Sequence, residues 1–154
     1  MRVLQRDQFL PIPLDRAWDF FSSPFNLNAV TPAEMSFEIT SEVPAGMYPG
    51  LIITYRIRPF LGVPFTWCTE ITHIRERCYF IDEQRLGPYR MWHHEHRFRE
   101  VENGVRMTDL LHYEIGKSFF GSLAGVLFVH RSISRIFDYR ARALERLFGP
   151  APMP

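Results

Sequence analysis

The sequence predicts an α+β fold in which a curved antiparallel sheet of six to seven strands surrounds one long C-terminal helix. Between residues 37 and 116, stretches rich in β-branched and aromatic side chains are separated by turn residues, as in sequential antiparallel strands. From residue 120 to Phe148, apolar side chains recur every three or four positions, which is helical periodicity. Only this helix is long enough to cover one face of the sheet.

The remaining elements follow in order from the N-terminus. A short strand over residues 3–10 precedes Pro13, which stands where proline is favoured in a first helical turn. Apolar side chains then recur at helical spacing as far as Phe21, so we expect a short helix. Ser23 and Pro24 repeat the same start signal, which predicts a second short helix. The expected strands are residues 37–43, 51–57, 65–74, 79–86, 89–101 and 105–115.

Composition and charge exclude several classes of protein. The chain has 154 residues, 46% hydrophobic and 23% charged, which is typical of one domain with its own core. The 18 basic and 17 acidic side chains nearly cancel, so the charge favours neither nucleic acid nor a membrane surface. No apolar run approaches the ~20 residues of a membrane span, and no targeting signal is recognisable, so we expect a cytoplasmic protein. Residues 1–149 should form a single domain and residues 150–154 a short flexible tail.

Asn103 and Gly104 form the strongest local signal, because this dipeptide favours a two-residue type I′ turn. Such a turn fixes the pairing of the flanking strands and places His94 opposite Tyr113. The face that does not carry most of the charged side chains should point to the interior. That inner face carries Trp92, His94, His96, Phe98, Asp109, Leu111, Tyr113 and Ile115.

Polar side chains on the inner face need partners, since an unpaired buried polar group costs roughly 1–3 kcal/mol. Four such side chains are His94, His96, Asp109 and Tyr113. The preceding turn leaves further partners open. A three-residue loop ending at Tyr89 turns Asp82 and Gln84 inward, whereas a two-residue loop turns the neighbouring residues Ile81 and Glu83 inward instead.

Three interpretations of this polar cluster stay open. His94, His96 and Asp109 have the spacing of a metal corner, yet no fourth ligand stands at a diagnostic interval, so we expect no metal and no cofactor. Alternatively, the histidines and Tyr113 bind the polar end of a ligand inside an apolar cavity, and acid–base catalysis is a narrower version of this. In the third interpretation the groups satisfy one another in a filled core. The absence of a nucleophile elbow, a phosphate-binding glycine loop and a dinucleotide fingerprint argues against hydrolases, kinases and dehydrogenases.

The order of elements resembles the helix-grip arrangement of the SRPBCC (START-like) superfamily, which includes the birch pollen allergen group, over nearly the whole chain. Two motifs resemble a subfamily of small bacterial ligand-binding SRPBCC proteins: Phe80-x-Asp82-x-Gln84-x-x-Gly87-Pro88-x-x-x-Trp92-x-His94-x-His96-x-Phe98 and Asp109-x-x-x-Tyr113. The resemblance implies a cavity between sheet and helix, with Asp82 and Gln84 facing inward. It implies no single reaction, because the superfamily includes lipid-transfer domains as well as polyketide aromatases and cyclases.

We therefore expect a protein that binds a small, largely hydrophobic molecule between sheet and helix, with the short helices and the loop 59–64 at the mouth. The alternatives are a polyketide cyclase, aromatase or dehydratase with a histidine base, and an interaction module with a filled core. A homodimer is compatible with the sequence. The candidate ligand-binding residues are Trp67, Asp82, Gln84, Trp92, His94, His96, Phe98, Asp109, Tyr113, Leu127 and His130. The candidate catalytic residues are His94, His96, Asp109 and Tyr113.

Overall fold

The computed structural model describes residues 1–60, 62–116 and 123–151. The strands are β1 (Arg2–Leu10), β2 (Glu38–Ile39), β3 (Leu51–Phe60), β4 (Val63–Arg75), β5 (Tyr79–Leu86), β6 (Tyr89–Val101) and β7 (Gly104–Ile115). The α-helices are α1 (Leu14–Phe21) and α2 (Leu123–Phe148). Two 3-10 helices, Pro24–Val30 and Ala33–Met35, lie between α1 and β2.

The seven strands form one antiparallel sheet in the order β1-β7-β6-β5-β4-β3-β2. Among the strands that the structure describes, only β1 and β7 pair although they are distant in the sequence. α2 buries Val129, Ile133, Phe137 and Leu144 in the same apolar core as the inward residues of the sheet. These four recur at helical spacing and so share one face of the helix. The predicted α+β helix-grip architecture is confirmed.

Two short elements differ from their predictions. The predicted second short helix is present over Pro24–Val30 as a 3-10 helix, but the side chain of Ser23 makes no capping hydrogen bond. β2 is only two residues long, far shorter than the predicted strand. The amide of Thr54 on β3 donates to the Oγ atom of Ser41 at 3.1 Å, so a side chain replaces the backbone partner and the ladder ends.

The connection between β3 and β4 is tighter than the mouth loop predicted over residues 59–64. Phe60 pairs with Val63, so the two strands continue almost to the turn, and Leu61 lies outside the described residues. Residues 152–154 of the predicted tail also lie outside them, and the domain boundary stays a prediction. In the described part of the chain, neither α-helix combines the length and the apolar composition needed to cross a bilayer.

The hairpin between β6 and β7 has a different register from the predicted one. Its turn ends at Asn103, since Val101 pairs with Gly104. A type I′ turn at Asn103 and Gly104 requires a positive φ at both residues. Asn103 has a φ of 62°, but the φ of Gly104 is not positive. Each partner shifts by two residues, so His94 lies opposite Leu111 instead of the expected tyrosine. A shift of two keeps every side chain on its predicted face.

Gly104 is required by a close approach and not by its φ. A Cβ atom there would lie 2.2 Å from the carbonyl oxygen of Leu10. This approach arises because Leu10 on β1 pairs with Val105 on β7. The glycine therefore permits the first and last strands to join.

Gly104→Ala should destabilise the protein by about 1–3 kcal/mol, because the added methyl group overpacks the β1–β7 pairing. Gly46→Ala is the matched control, since nothing lies within 4 Å of a Cβ atom built at that position. Urea unfolding of both variants measures their free energies of unfolding. Equal stabilities would contradict the close-approach explanation.

Candidate functional site

A cavity of about 170 Å³ lies between the sheet and the helices. Residues of α1, the first 3-10 helix, β3 to β6 and α2 line it. An engineered apolar cavity of about 150 Å³ in another protein holds benzene, so this cavity has room for a small organic molecule. Most of the lining is apolar or aromatic and includes Phe21, Val30, Ile53, Trp67, Phe80 and Phe137.

Three packed aromatic rings form one part of the lining. The ring of Trp67 lies edge-on to those of Tyr89 and Trp92, at centroid distances of 5.6 and 5.1 Å. The indole Nε1 of Trp67 donates to Thr69 Oγ1 at 2.8 Å, so the polar edge of this buried ring is satisfied. This part of the lining offers a ligand a fixed apolar surface.

Strand pairing brings the ionisable groups of the site together. Asp82 on β5 lies opposite His94 on β6, and His96 on β6 lies opposite Asp109 on β7. Opposed residues have Cβ atoms about 4.5–5.5 Å apart, so the side chain of each aspartate lies beside that of a histidine. Arg140 reaches the same place from α2. All of these side chains except that of Asp109 line the cavity.

Asp82, His94, Asp109 and His96 form a closed arrangement that we call the charge ring. His94 Nε2 donates to Asp109 Oδ1 at 3.0 Å, and His96 Nε2 donates to Asp82 Oδ2 at 2.9 Å. His96 Nδ1 lies 3.0 Å from Asp109 Oδ1, whereas His94 Nδ1 lies 3.5 Å from Asp82 Oδ2. The centroids of the two imidazoles are 3.9 Å apart. Each histidine therefore lies between the two carboxylates.

The buried charges of the site balance only if one of the two histidines is protonated to imidazolium. Two carboxylates and the guanidinium of Arg140 leave one net negative charge, and one imidazolium cancels it. An uncompensated buried charge costs several kcal/mol. His96 has both ring nitrogens within 3.0 Å of a carboxylate oxygen, so His96 carries the extra proton. His94 remains neutral.

The pKa directions agree with this assignment. Burial and the neighbouring His96 lower the pKa of His94. Burial also disfavours charged His96, but its hydrogen bonds with Asp109 and Asp82 outweigh burial and raise its pKa. Against the cost of burial, Arg140 and the two histidines hold the pKa of Asp109 well below its usual range. Burial likewise opposes ionisation of Asp82, but the two histidines lower its pKa.

Arg140 is the functional residue that the sequence analysis missed. Its side chain is only 11% exposed, and its Nε atom lies 3.5 Å from Asp109 Oδ2 without forming a hydrogen bond. Its guanidinium lies 5.2 Å above the ring of Phe21. Its Nη2 atom also approaches His96 Nδ1 at 3.5 Å, but that nitrogen lies 3.0 Å from Asp109 Oδ1, so His96 keeps the Nδ1 proton and donates it to the carboxylate. The one indication in the sequence is that Arg140 stands three residues after Phe137, which packs in the core, so that both lie on one side of the helix.

The predicted binding residues divide into those that line the cavity and those that do not. Asp109 lies beside the histidines but lines a second cleft together with Arg140. Gln84 holds the turn after β5, because its side-chain Nε2 donates to the Tyr89 carbonyl at 2.7 Å and its Oε1 accepts from the Tyr89 amide at 3.2 Å. Its amide is therefore engaged outside the lining. The predicted residues that line the cavity are Trp67, Asp82, Trp92, His94 and His96.

Four other predicted residues also lie outside the lining. Phe98 packs among aromatic rings of the core. The hydroxyl of Tyr113 shares a hydrogen bond with Nδ1 of His130, so these two polar groups satisfy each other. Leu127 is 44% exposed, contrary to the prediction. Four consecutive residues are apolar there, so periodicity could not select Val129 as the buried one.

Three side chains lie close enough together to hold a metal ion, but one of them is not among the three that the sequence suggested. Asp82, His94 and His96 offer ligand atoms within 4.8 Å of one another, with Asp82 in place of the expected Asp109. Arg140 already brings a positive charge to this part of the cavity, which disfavours a divalent cation. The expectation of no metal and no cofactor stays a prediction.

No model of a known protein family matches the sequence, and no curated protein matches it. Solved structures do match it. Protein Ms6760 from Mycobacterium smegmatis aligns with a TM-score of 0.68 and 17% identity, over 94% of this chain and 89% of that one. Protein CV1439 from Chromobacterium violaceum aligns with a TM-score of 0.71 and 11% identity, over 97% and 98% of the two chains.

The di-domain ARO/CYC protein StfQ from the steffimycin biosynthetic pathway also aligns, with a TM-score of 0.72 and 11% identity. The alignment covers 95% of this chain but only 50% of StfQ. These likenesses show the fold alone. The fold is the helix-grip arrangement expected from the sequence, and membership of the SRPBCC superfamily and of its small bacterial subfamily stays a prediction.

The two histidines should titrate on opposite sides of the ordinary imidazole pKa of about 6.5. At that pH we expect His96 to be charged and His94 to be neutral, because only His96 has a close carboxylate at both nitrogens. Nitrogen-15 NMR of the imidazoles across the neutral pH range measures both titrations.

The stability effect of His96 has a defined sign. Folding raises the pKa of His96, so its contribution to stability is complete below about pH 6.5 and is lost as the pH rises through the raised value. Two histidines that titrate together at the ordinary value would contradict the charge assignment.

Proposed function

We propose that the protein binds a small, largely hydrophobic molecule in this cavity, with the polar end of the molecule at Asp82, His94, His96 and Arg140. One observation carries the proposal: most of the lining is apolar, while its ionisable side chains gather in one part of it. Ligand sites typically combine an apolar surface with a few converging polar groups. The apolar part would bind the body of the ligand, and the ionisable part would fix its orientation.

The cavity favours ligand binding over an interaction module with a filled core. A filled core would place the charge ring among close-packed side chains and would leave no space beside it. Here about 170 Å³ remains next to Phe80 and Trp67, on the side of the histidines that faces the cavity. A ligand would occupy this space and shield the charges from water.

Ile53→Trp should weaken binding at least about tenfold, because Ile53 lines the cavity, is 1% exposed, and would be replaced by a ring that fills ligand space. Ile52→Trp is the matched control, since Ile52 is the preceding residue of β3, points to the opposite face and is 43% exposed. The measurement is an NMR titration with ethylbenzene, an uncharged probe little larger than benzene, on variants shown by thermal unfolding to be folded. Failure of the wild-type protein to bind, or equal losses in both variants, would contradict the proposal.

A cyclase-like acid–base enzyme is the second candidate. Neutral His94 and charged His96 are adjacent, with ring centroids 3.9 Å apart, and both line the cavity. A base and an acid side by side can remove a proton from a bound carbonyl compound and protonate its oxygen. The likeness to a di-domain ARO/CYC protein supports this candidate at the level of the fold.

If the second candidate holds, the protein should accelerate the exchange of deuterium from D₂O into the methylene group of phenylacetone. His94→Phe should abolish this exchange but retain ethylbenzene binding, because phenylalanine keeps a ring at this position and has no basic nitrogen. Proton NMR follows the exchange. A bound ketone that exchanges at the buffer rate would reject catalysis and leave the binding function standing.

A further inference from the structure

One nitrogen atom in the charge ring has no hydrogen-bond donor among the described residues. His94 Nε2 donates to Asp109 Oδ1 at 3.0 Å, and in a neutral imidazole the other nitrogen is then an acceptor. That nitrogen, Nδ1, lies 3.5 Å from Oδ2 of Asp82, which is also an acceptor. Asp82 Oδ2 already accepts from His96 Nε2, so Nδ1 of His94 is the atom that needs a donor. A donor placed beside both atoms would pair this nitrogen and could also use a free lone pair of the carboxylate.

A proton on His94 would supply that donor but would unbalance the charge. His96 already carries the extra proton, and its ring centroid is 3.9 Å from that of His94. A second imidazolium would give this buried group a net positive charge, which is costly away from water. Burial and the neighbouring His96 lower the pKa of His94, in agreement.

The other side chains of the lining do not supply the donor. Burial, together with the charge of Asp82, raises the pKa of Tyr55, yet no hydrogen bond joins these two side chains in the described part of the chain. Thr69 Oγ1 accepts from the indole of Trp67, and its hydroxyl makes no hydrogen bond with Asp82 or His94 in the described residues. Since Asp82 and His94 both line the cavity, a donor can reach them from a bound molecule.

We propose that the part of the cavity wall formed by His94 Nδ1 and Asp82 Oδ2 is a subsite for a neutral hydroxyl group, so that the ligand is an apolar molecule bearing a phenol or alcohol. This inference rests on the proposed binding function and specifies the chemistry of its ligand. The hydroxyl hydrogen would be donated to Asp82 or His94, and Arg140, in the same part of the lining, offers donors to the hydroxyl oxygen. A carboxylate would place a second negative charge beside Asp82 and is disfavoured.

Three probes with the same ethylbenzene body test the subsite: 4-ethylphenol, 4-ethyltoluene and 4-ethylanisole. NMR titration of the wild-type protein at neutral pH measures the three dissociation constants. We expect 4-ethylphenol to bind about tenfold more tightly than 4-ethyltoluene, although its hydroxyl is better hydrated than a methyl group, because hydrogen bonds to charged groups are the stronger ones. 4-Ethylanisole has the oxygen but no donor and should bind no more tightly than 4-ethyltoluene.

The outcomes separate this inference from the function on which it rests. Binding of 4-ethyltoluene that equals or exceeds that of 4-ethylphenol would overturn the hydroxyl subsite and leave the apolar binding function intact. Binding of none of the three probes would overturn both. The wild-type series gives these results without depending on the folding of any variant.

Asp82→Asn provides a second test. The amide is uncharged and carries its own donors, so the preference for 4-ethylphenol over 4-ethyltoluene should disappear. Glu83→Gln makes the same change on the adjacent residue, whose carboxylate bonds with Arg85 and His93 outside the cavity lining, and should keep the preference. An unchanged preference in a folded Asp82→Asn protein would overturn the subsite.

Discussion

Two buried carboxylates must be balanced by positive charge, and the arrangement of the inner face follows from how this protein balances them. Asp82 and Asp109 flank the same pair of histidines, and Arg140 supplies one positive charge from α2. One imidazolium completes the balance. Because only His96 has close carboxylates at both nitrogens, the balance also divides the two histidines into a charged and a neutral one.

Stability alone does not explain such a group. Replacing buried ion pairs by well-packed apolar residues is often neutral or stabilising, whereas removing a single partner is strongly destabilising. The ring also borders an open space and not a filled core. A ligand that needs a specific polar partner gives a reason for retaining the charges, and the proposed binding function and its hydroxyl subsite both depend on that reasoning.

Strand pairing alone positions most of these ionisable groups. Three adjacent strands place Asp82 opposite His94 and His96 opposite Asp109, and the alternation of β6 turns both histidines to the same side. Phe80 stacks on His96 with ring centroids 4.2 Å apart, which fixes the imidazole plane. The sheet thus holds four of the five ionisable groups, and only Arg140 depends on the position of α2.

Much of this could be predicted from the sequence, and the failures have physical causes. The inner face of the β6–β7 hairpin was predicted correctly although the register was wrong, because a shift of two residues preserves the face. The error arose because Gly104 serves the contact with Leu10 and not the turn. The predicted inward orientation of Gln84 does not bring it into the cavity lining, because its side-chain amide bonds with the backbone of Tyr89 at the turn.

The position of Arg140 depended on the rotation of α2, which periodicity did not determine. Residues 126–129 are all apolar, so two faces of the helix were equally suited to the core. The sequence predicted that Leu127 and His130 face inward. The structure exposes Leu127 and buries Val129 and Ile133, while His130 reaches the hydroxyl of buried Tyr113. Only the true rotation turns Arg140 toward Asp109, and a single sequence gives no measure of that rotation.

The central claim is that an accessible apolar cavity lies directly beside the charge ring, whose net negative charge Arg140 balances. A crystal structure determined under xenon pressure tests it most directly, because xenon enters empty apolar cavities and is located by its scattering. We predict a xenon atom near Ile53, Trp67 and Phe80, with the four ring residues in place beside it. Close-packed side chains around His94 and His96, with no xenon in the interior, would contradict the account.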